Sequence, residues 1–185
     1  MTRPLFICGP SGVGKSYLTR QLCSKHNAVK IITTTTRMMR EGEKQGIDYH
    51  FISREEYEWL EIHNQFTVTT TVFNHRYGLR RGVVEEIISR NQMPIGEIYS
   101  LNIELFRNSF PESYAIFLFP KSLEGLRERM KKRGDEEQTI VTRLLSVQNE
   151  LGVFYERTHK FFDKTYIMDD DLSSIIVDIA SSFFN

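Results

Sequence analysis

Apolar positions along the chain fall into short continuous runs, and the stretches between them have a different texture. Leu5-Phe6-Ile7-Cys8 and residues 29–32, 95–99, 114–119 and 166–168 are apolar with little alternation, the pattern of strands covered on both faces. Each run lies beside helix-compatible sequence. Residues 16–25 contain no breaker, while Ile140, Leu144, Val147, Leu151 and Phe154 recur at spacings of three and four, an apolar stripe along one helix face. Leu172, Ile175, Ile176, Ile179 and Phe183 repeat that stripe near the end of the chain. Strands alternating with helices predict a three-layer α/β fold with a mostly parallel sheet in the middle. Between residues 33 and 90 the pattern changes to polar loops, with alternation near 66–73. There Ser53-Arg54-Glu55-Glu56 reads as a capping box that starts a short helix running through Leu60. This segment is expected to be a small inserted subdomain rather than another βα unit.

A length of 185 residues suits one compact domain. Lys plus Arg and Asp plus Glu are equal at 24 each, so there is no global positive field to draw the chain onto nucleic acid or an anionic membrane. Any recognition of phosphate has to be local. The apolar run after Met1-Thr2-Arg3-Pro4 is too short for a signal-peptide core or a bilayer span, and a cytoplasmic location is expected. Cys8 and Cys23 fall in an expected strand and an expected helix, without metal-ligand spacing. Both read as small core residues. The five histidines are scattered, and no metal cage is expected.

Gly9-Pro10-Ser11-Gly12-Val13-Gly14-Lys15-Ser16 satisfies GxxxxGK[ST] and stands between an expected strand and an expected helix. Its glycines let successive backbone N–H groups turn toward phosphate oxygens, and the following helix adds its positive N-terminal end. In such a P-loop, Lys15 bridges the β- and γ-phosphates of ATP and the Ser16 hydroxyl binds Mg²⁺.

Downstream, Thr34-Thr35-Thr36-Arg37-Met38-Met39-Arg40-Glu41-Gly42-Glu43 and Gly46-Ile47-Asp48-Tyr49-His50-Phe51-Ile52-Ser53 closely resemble the guanylate kinase pattern STTTRxPRxGExxGxDYxFxS. Tyr77-Gly78, Arg133-Gly134 and Thr142-Arg143-Leu144 fall where that family has its YG, RG and xRL elements, and the similarity runs as far as Asp169-Asp170-Asp171. The resemblance implies a P-loop NTPase fold in three parts: a core (1–32, 91–120 and 159–185), an acceptor-binding insert (33–90) and a helical lid (121–158). It implies an ATP-dependent nucleoside monophosphate kinase, with GMP or dGMP as the default acceptor and Mg²⁺ as cofactor. Thr33, Arg37, Arg40, Tyr49, Tyr77 and Glu97 would hold the acceptor, Arg133 and Arg143 the transferring group, and Arg129 the donor side. Taken by themselves, Arg37 and Arg40 with two phenols are a set of charge-assisted donors suited to a monophosphate. A monomer or a homodimer is expected.

The pattern fails in the base-binding part. Val68 stands where the family has a glutamate that binds the guanine edge, Leu79 where it has Ser or Thr, and Tyr99 where its IDxQG segment has aspartate, that segment being Ile98-Tyr99-Ser100-Leu101-Asn102 here. Asp169 replaces an asparagine beside the donor adenine. Trading hydrogen-bonding groups for Val, Leu and Tyr removes the filter that a polar base site supplies. Two alternatives therefore stay open: a kinase for another phosphorylated acceptor, either another nucleotide or a ribosyl phosphate, and a non-catalytic binding module of guanylate kinase type.

Overall fold

In the computed structural model, which describes residues 3–168 and 173–183, the run Leu5-Phe6-Ile7-Cys8 is the middle strand of a five-stranded sheet. Its alternate side chains enter two different cores. Leu5 and Ile7 join Leu18, Leu22, Ile140, Val147 and Ile179 on one face, and Phe6 and Cys8 join Ile98, Ile103, Phe106, Phe117 and Phe154 on the other. That division explains why the strand is apolar throughout.

The elements are β1 (Leu5–Cys8), α1 (Lys15–Lys25), β2 (Ala28–Lys30), β3 (Thr34–Thr35), β4 (His50–Phe51), α2 (Arg54–Ile62), β5 (Phe66–Val72), β6 (His75–Arg80), α3 (Val83–Ser89), β7 (Met93–Ile98), α4 (Ile103–Ser109), β8 (Tyr114–Pro120), α5 (Leu123–Lys132), α6 (Glu137–Val153), β9 (Lys164–Met168) and α7 (Ser173–Phe183). A π-helical turn, Phe154–Thr158, continues α6. The central sheet has the order β2-β7-β1-β8-β9 with every described pairing parallel, and helices cover both faces. A second sheet, β4-β3-β6-β5, is built from residues within 33–90. Asp169-Asp170-Asp171 and Leu172 lie outside the described residues. Among the described residues, no helix is long and apolar enough to cross a membrane.

Local chemistry sets most boundaries. Ser53 Oγ accepts from the Glu56 amide (3.1 Å) and starts α2, which runs two residues past the expected end, to Ile62. The strand expected at 95–99 begins instead at Met93. Pro94 is tolerated because the β1 ladder starts only at Ile95, so the proline faces β2 alone. Phe66 and Val68 are separated by a register shift in the β5–β6 ladder. This lets Phe66 stack on Tyr57 (4.7 Å between ring centres) while Val68 enters the second core. Cys8 is fully buried, whereas Cys23 is only partly so and packs at the edge of the first core.

Candidate active site

Between β1 and α1 the chain turns through Gly9 (φ 139°), where a Cβ would stand 2.5 Å from the Leu118 carbonyl oxygen of neighbouring β8. Only glycine fits there. Val13 points down into the first core, with Met130 in the same cluster, and anchors the loop. Lys15 Nζ donates to the carbonyls of Gly9 (2.6 Å) and Pro10 (3.0 Å), and Arg129 Nε on α5 donates to the Gly12 carbonyl (2.8 Å). Burial lowers the pKa of Lys15, while the carboxylates of Glu150 and Glu97 pull it back up. Ser16 Oγ donates to Glu97 Oε2 (2.7 Å). Glu97 Oε1 is buried and, among the described residues, has no hydrogen-bond partner.

Facing this loop is a group of arginines. Arg37, just after β3, is 9% exposed and is held by both oxygens of Glu43 (2.7 and 3.0 Å). The same carboxylate accepts from the Arg40 amide (2.8 Å). The rings of Tyr49 and Tyr77 meet edge to face at 5.9 Å, with the Arg37 guanidinium 5.3 Å from the Tyr49 ring centre. Arg133 hydrogen-bonds Asp135, and Arg143 lies 3.7 Å from the same carboxylate. Burial lowers the pKa of Arg40, and Arg37 and Arg133 lower it further; Arg143 is likewise lowered by burial and by Arg40. Guanidinium groups of residues 33–90 and of the α5–α6 region therefore feel one another across a common space, a concentration of positive charge that an anion would relieve.

That space is a cleft of about 630 Å³. Ser11, Gly12, Gly14, Lys15, Ser16 and Arg129 line one end, and Thr33, Arg37, Arg40, Tyr49 and Tyr77 the other. Glu97, Arg133 and Arg143 stand on its walls as well. Of the residues singled out from sequence, Gly9, Pro10 and Val13 do not line the cleft. The first two supply carbonyls to Lys15, and Val13 is buried beneath.

Sequence reasoning missed several groups. Glu43 lies within the quoted arginine motif and Asp135 directly follows Arg133-Gly134, so each had a local signal. Glu150 had none: it is buried on α6, accepts from Ser100 Oγ and is pushed upward in pKa by that burial. Tyr99 reaches α6, its hydroxyl 3.5 Å from Ser146 Oγ, and its ring stands 6.2 Å from that of Phe73. Phe73 and Asn74 both have positive φ (47° and 65°) and form the two-residue turn of the β5–β6 hairpin.

Known proteins resemble this chain over most of its length. The guanylate kinase family model matches residues 1–185. Guanylate kinases of Symbiobacterium thermophilum and Idiomarina loihiensis are 32% and 35% identical, over 96% and 91% of this chain and 82% and 80% of theirs. A crystal structure of guanylate kinase from Anaplasma phagocytophilum superposes with a TM-score of 0.77 at 25% identity, covering 99% of this chain and 85% of that one. An uncharacterized protein from Eubacterium ventriosum shares the fold at a TM-score of 0.54 and 11% identity. With a P-loop and a set of arginines opening into one cleft, the chain belongs to the guanylate kinase family of phosphotransferases.

Proposed function

We propose that this protein transfers the γ-phosphoryl group of ATP to GMP or dGMP in the cytoplasm. The observation that carries the reading is that the P-loop and the arginines Arg37, Arg40, Arg133 and Arg143 line one cleft. Two phosphates that must react need to be held face to face, and phosphoryl transfer is chiefly positioning and charge stabilisation.

In this reading the loop Gly9–Ser16 cradles the donor phosphates, Lys15 leaves the Gly9 and Pro10 carbonyls to bridge them, and Arg129 supports the donor side. Arg37, Arg40, Tyr49 and Tyr77 hold the acceptor phosphate, with Thr33 and Glu97 beside it. An acceptor phosphate oxygen attacks the γ-phosphorus as the bond to the β–γ bridging oxygen breaks, giving ADP and the nucleoside diphosphate. Arg133 and Arg143 exchange Asp135 for the equatorial oxygens, whose spreading charge a planar guanidinium can follow. The donor set at Ser16 suits Mg²⁺: a hydroxyl beside a carboxylate whose second oxygen is buried and, among the described residues, unpartnered, both hard oxygen ligands. Bound there, Mg²⁺ neutralises charge on the β- and γ-phosphates. Residues 33–90 and 121–158 serve as acceptor insert and lid, closing on the core to exclude water.

Tyr99 in place of a carboxylate favours one other reading, a binding module that holds nucleotide without turnover. ADP release from Mg²⁺·ATP with GMP, dGMP, AMP, CMP, UMP, dTMP and ribose phosphates as acceptors separates the two, with Lys15→Ala as control. Turnover that depends on Lys15 is expected with GMP. ATP binding without ADP release for any acceptor would leave the binding module.

A further inference from the structure

One cation in the cleft belongs to neither the P-loop nor the arginine group. Lys30 is the last residue of β2, where Ala28 enters the first core and Val29 packs against the second, and it lines the cleft beyond the end of the strand. Its ammonium forms no ion pair among the described residues. Nζ donates to the Asp48 carbonyl (3.2 Å) and lies 5.7 Å from the centre of the Tyr49 ring. The Asp48 carboxylate accepts instead from the Lys44 amide (2.8 Å). A lysine head carries three N–H donors and a full charge, so a single carbonyl leaves most of its capacity to other groups at this end of the cleft.

Tyr49 is the group it serves. The Tyr49 Oη has no hydrogen-bond partner among the described residues, and burial raises its pKa, which keeps the phenol a donor. No bond of the hydroxyl therefore fixes the side chain; contacts on the ring do. Phe51 and Tyr77 meet the ring edge to face at 5.6 and 5.9 Å, and the Arg37 guanidinium lies 5.3 Å from its centre. Arg37 is already committed to both oxygens of Glu43 and to the Met38 carbonyl. Of the two cations on the ring, only Lys30 also bonds the backbone of the residue before Tyr49. A cation over an aromatic face gains in strength as it is desolvated, and Tyr49 stands in the half-buried wall of the cleft.

We propose that Lys30 is a positioning residue for the acceptor phosphate, strapping the turn at Asp48 to β2 and holding the Tyr49 ring so that Oη points at that phosphate. This rests on the kinase reading above and adds to its acceptor site a residue from outside the arginine motif. Lys30 acts through Tyr49, so its removal weakens the acceptor and leaves the donor side alone.

The test is ADP release with GMP varied at saturating Mg²⁺·ATP, in parallel with calorimetric titration of GMP into protein loaded with Mg²⁺ and a non-hydrolysable ATP analogue. Lys30→Met keeps the stem and removes the charge; it should raise the KM and Kd for GMP about tenfold, with kcat and the KM for ATP changed less than about threefold. Lys30→Arg restores a cation over the ring and should stay within about threefold of the unmodified protein. Lys30→Gln keeps a donor for the Asp48 carbonyl without the charge and should weaken GMP as well, which gives a readout even where the methionine variant melts. Tyr49→Phe keeps the ring and removes only Oη, so in that background Lys30→Met should raise the KM no further. Additive losses in the double variant, an unchanged KM for GMP in Lys30→Met and Lys30→Gln, or equal weakening of ATP and GMP would each overturn the proposal. The expected pattern in GMP binding without ADP release supports Lys30 and overturns the kinase reading, whereas no binding of GMP overturns both.

Discussion

Glu43 shows how a single carboxylate organises the acceptor side. It holds the Arg37 guanidinium with both oxygens and the Arg40 amide with one of them, and burial, which alone would raise its pKa, is outweighed by these bonds so that the pKa falls. A depressed carboxylate contributes stability that is present above its unfolded pKa and is lost as pH falls through its folded one. Glu43→Gln is therefore expected to cost about 1–3 kcal/mol at pH 7, with the difference from the unmodified protein closing as denaturant melts are taken below about pH 4. A cost that stayed constant into acid would mean the charge is not what matters. Lys15→Ala should lower kcat by at least about 10²–10³ while leaving the melting curve nearly unchanged, because the lysine's hydrogen bonds go only to its own loop. At this scale the charged motif residues were legible, since each sits in a short contiguous pattern. Glu150 was not, because its partner Ser100 lies fifty positions away and only the structure brings the two together.

Among the elements, length decided what could be read. α6 and α7 are long enough for their 3.6-residue period to show, but α3 and α4 have seven residues each, and β3 and β4 two. No apolar period can develop over so few positions. The β5–β6 hairpin depends on a close approach: a Cβ on Gly78 would stand 2.5 Å from the Phe66 ring. Gly78→Ala should cost about 1–3 kcal/mol through overpacking, read as a lower urea midpoint. Because the same hairpin carries Tyr77, the variant should also raise the KM for the acceptor. Ser53→Ala removes the α2 cap and should cost about 1 kcal/mol with no effect on KM, since α2 supplies no residue to the cleft.

On the scale of the molecule, the parallel sheet fixes the P-loop and Glu97 at the carboxyl ends of β1 and β7, and the second sheet brings its arginines opposite them. Arg37, Arg40, Arg133 and Arg143 concentrate positive charge in that cleft, which an anion bound there would relieve. A bisubstrate analogue at a hundred times its Kd should add about 2.7 kcal/mol of stability and reduce the radius of gyration in small-angle scattering. Stabilisation without compaction would show a preformed cleft and no lid movement.

The sequence by itself determined the α/β class, the phosphate loop and the arginines of the cleft, because these depend on periodicity and on motifs whose residues are neighbours in the chain. It also marked Val68, Leu79 and Tyr99 as departures from a guanine site. Only the tertiary structure decided what those departures face. Asp135 beside Arg143 and Glu150 against Ser100 fifty positions away arise from contacts between positions distant in sequence. Their energetics depend on burial and on partners that no local pattern specifies.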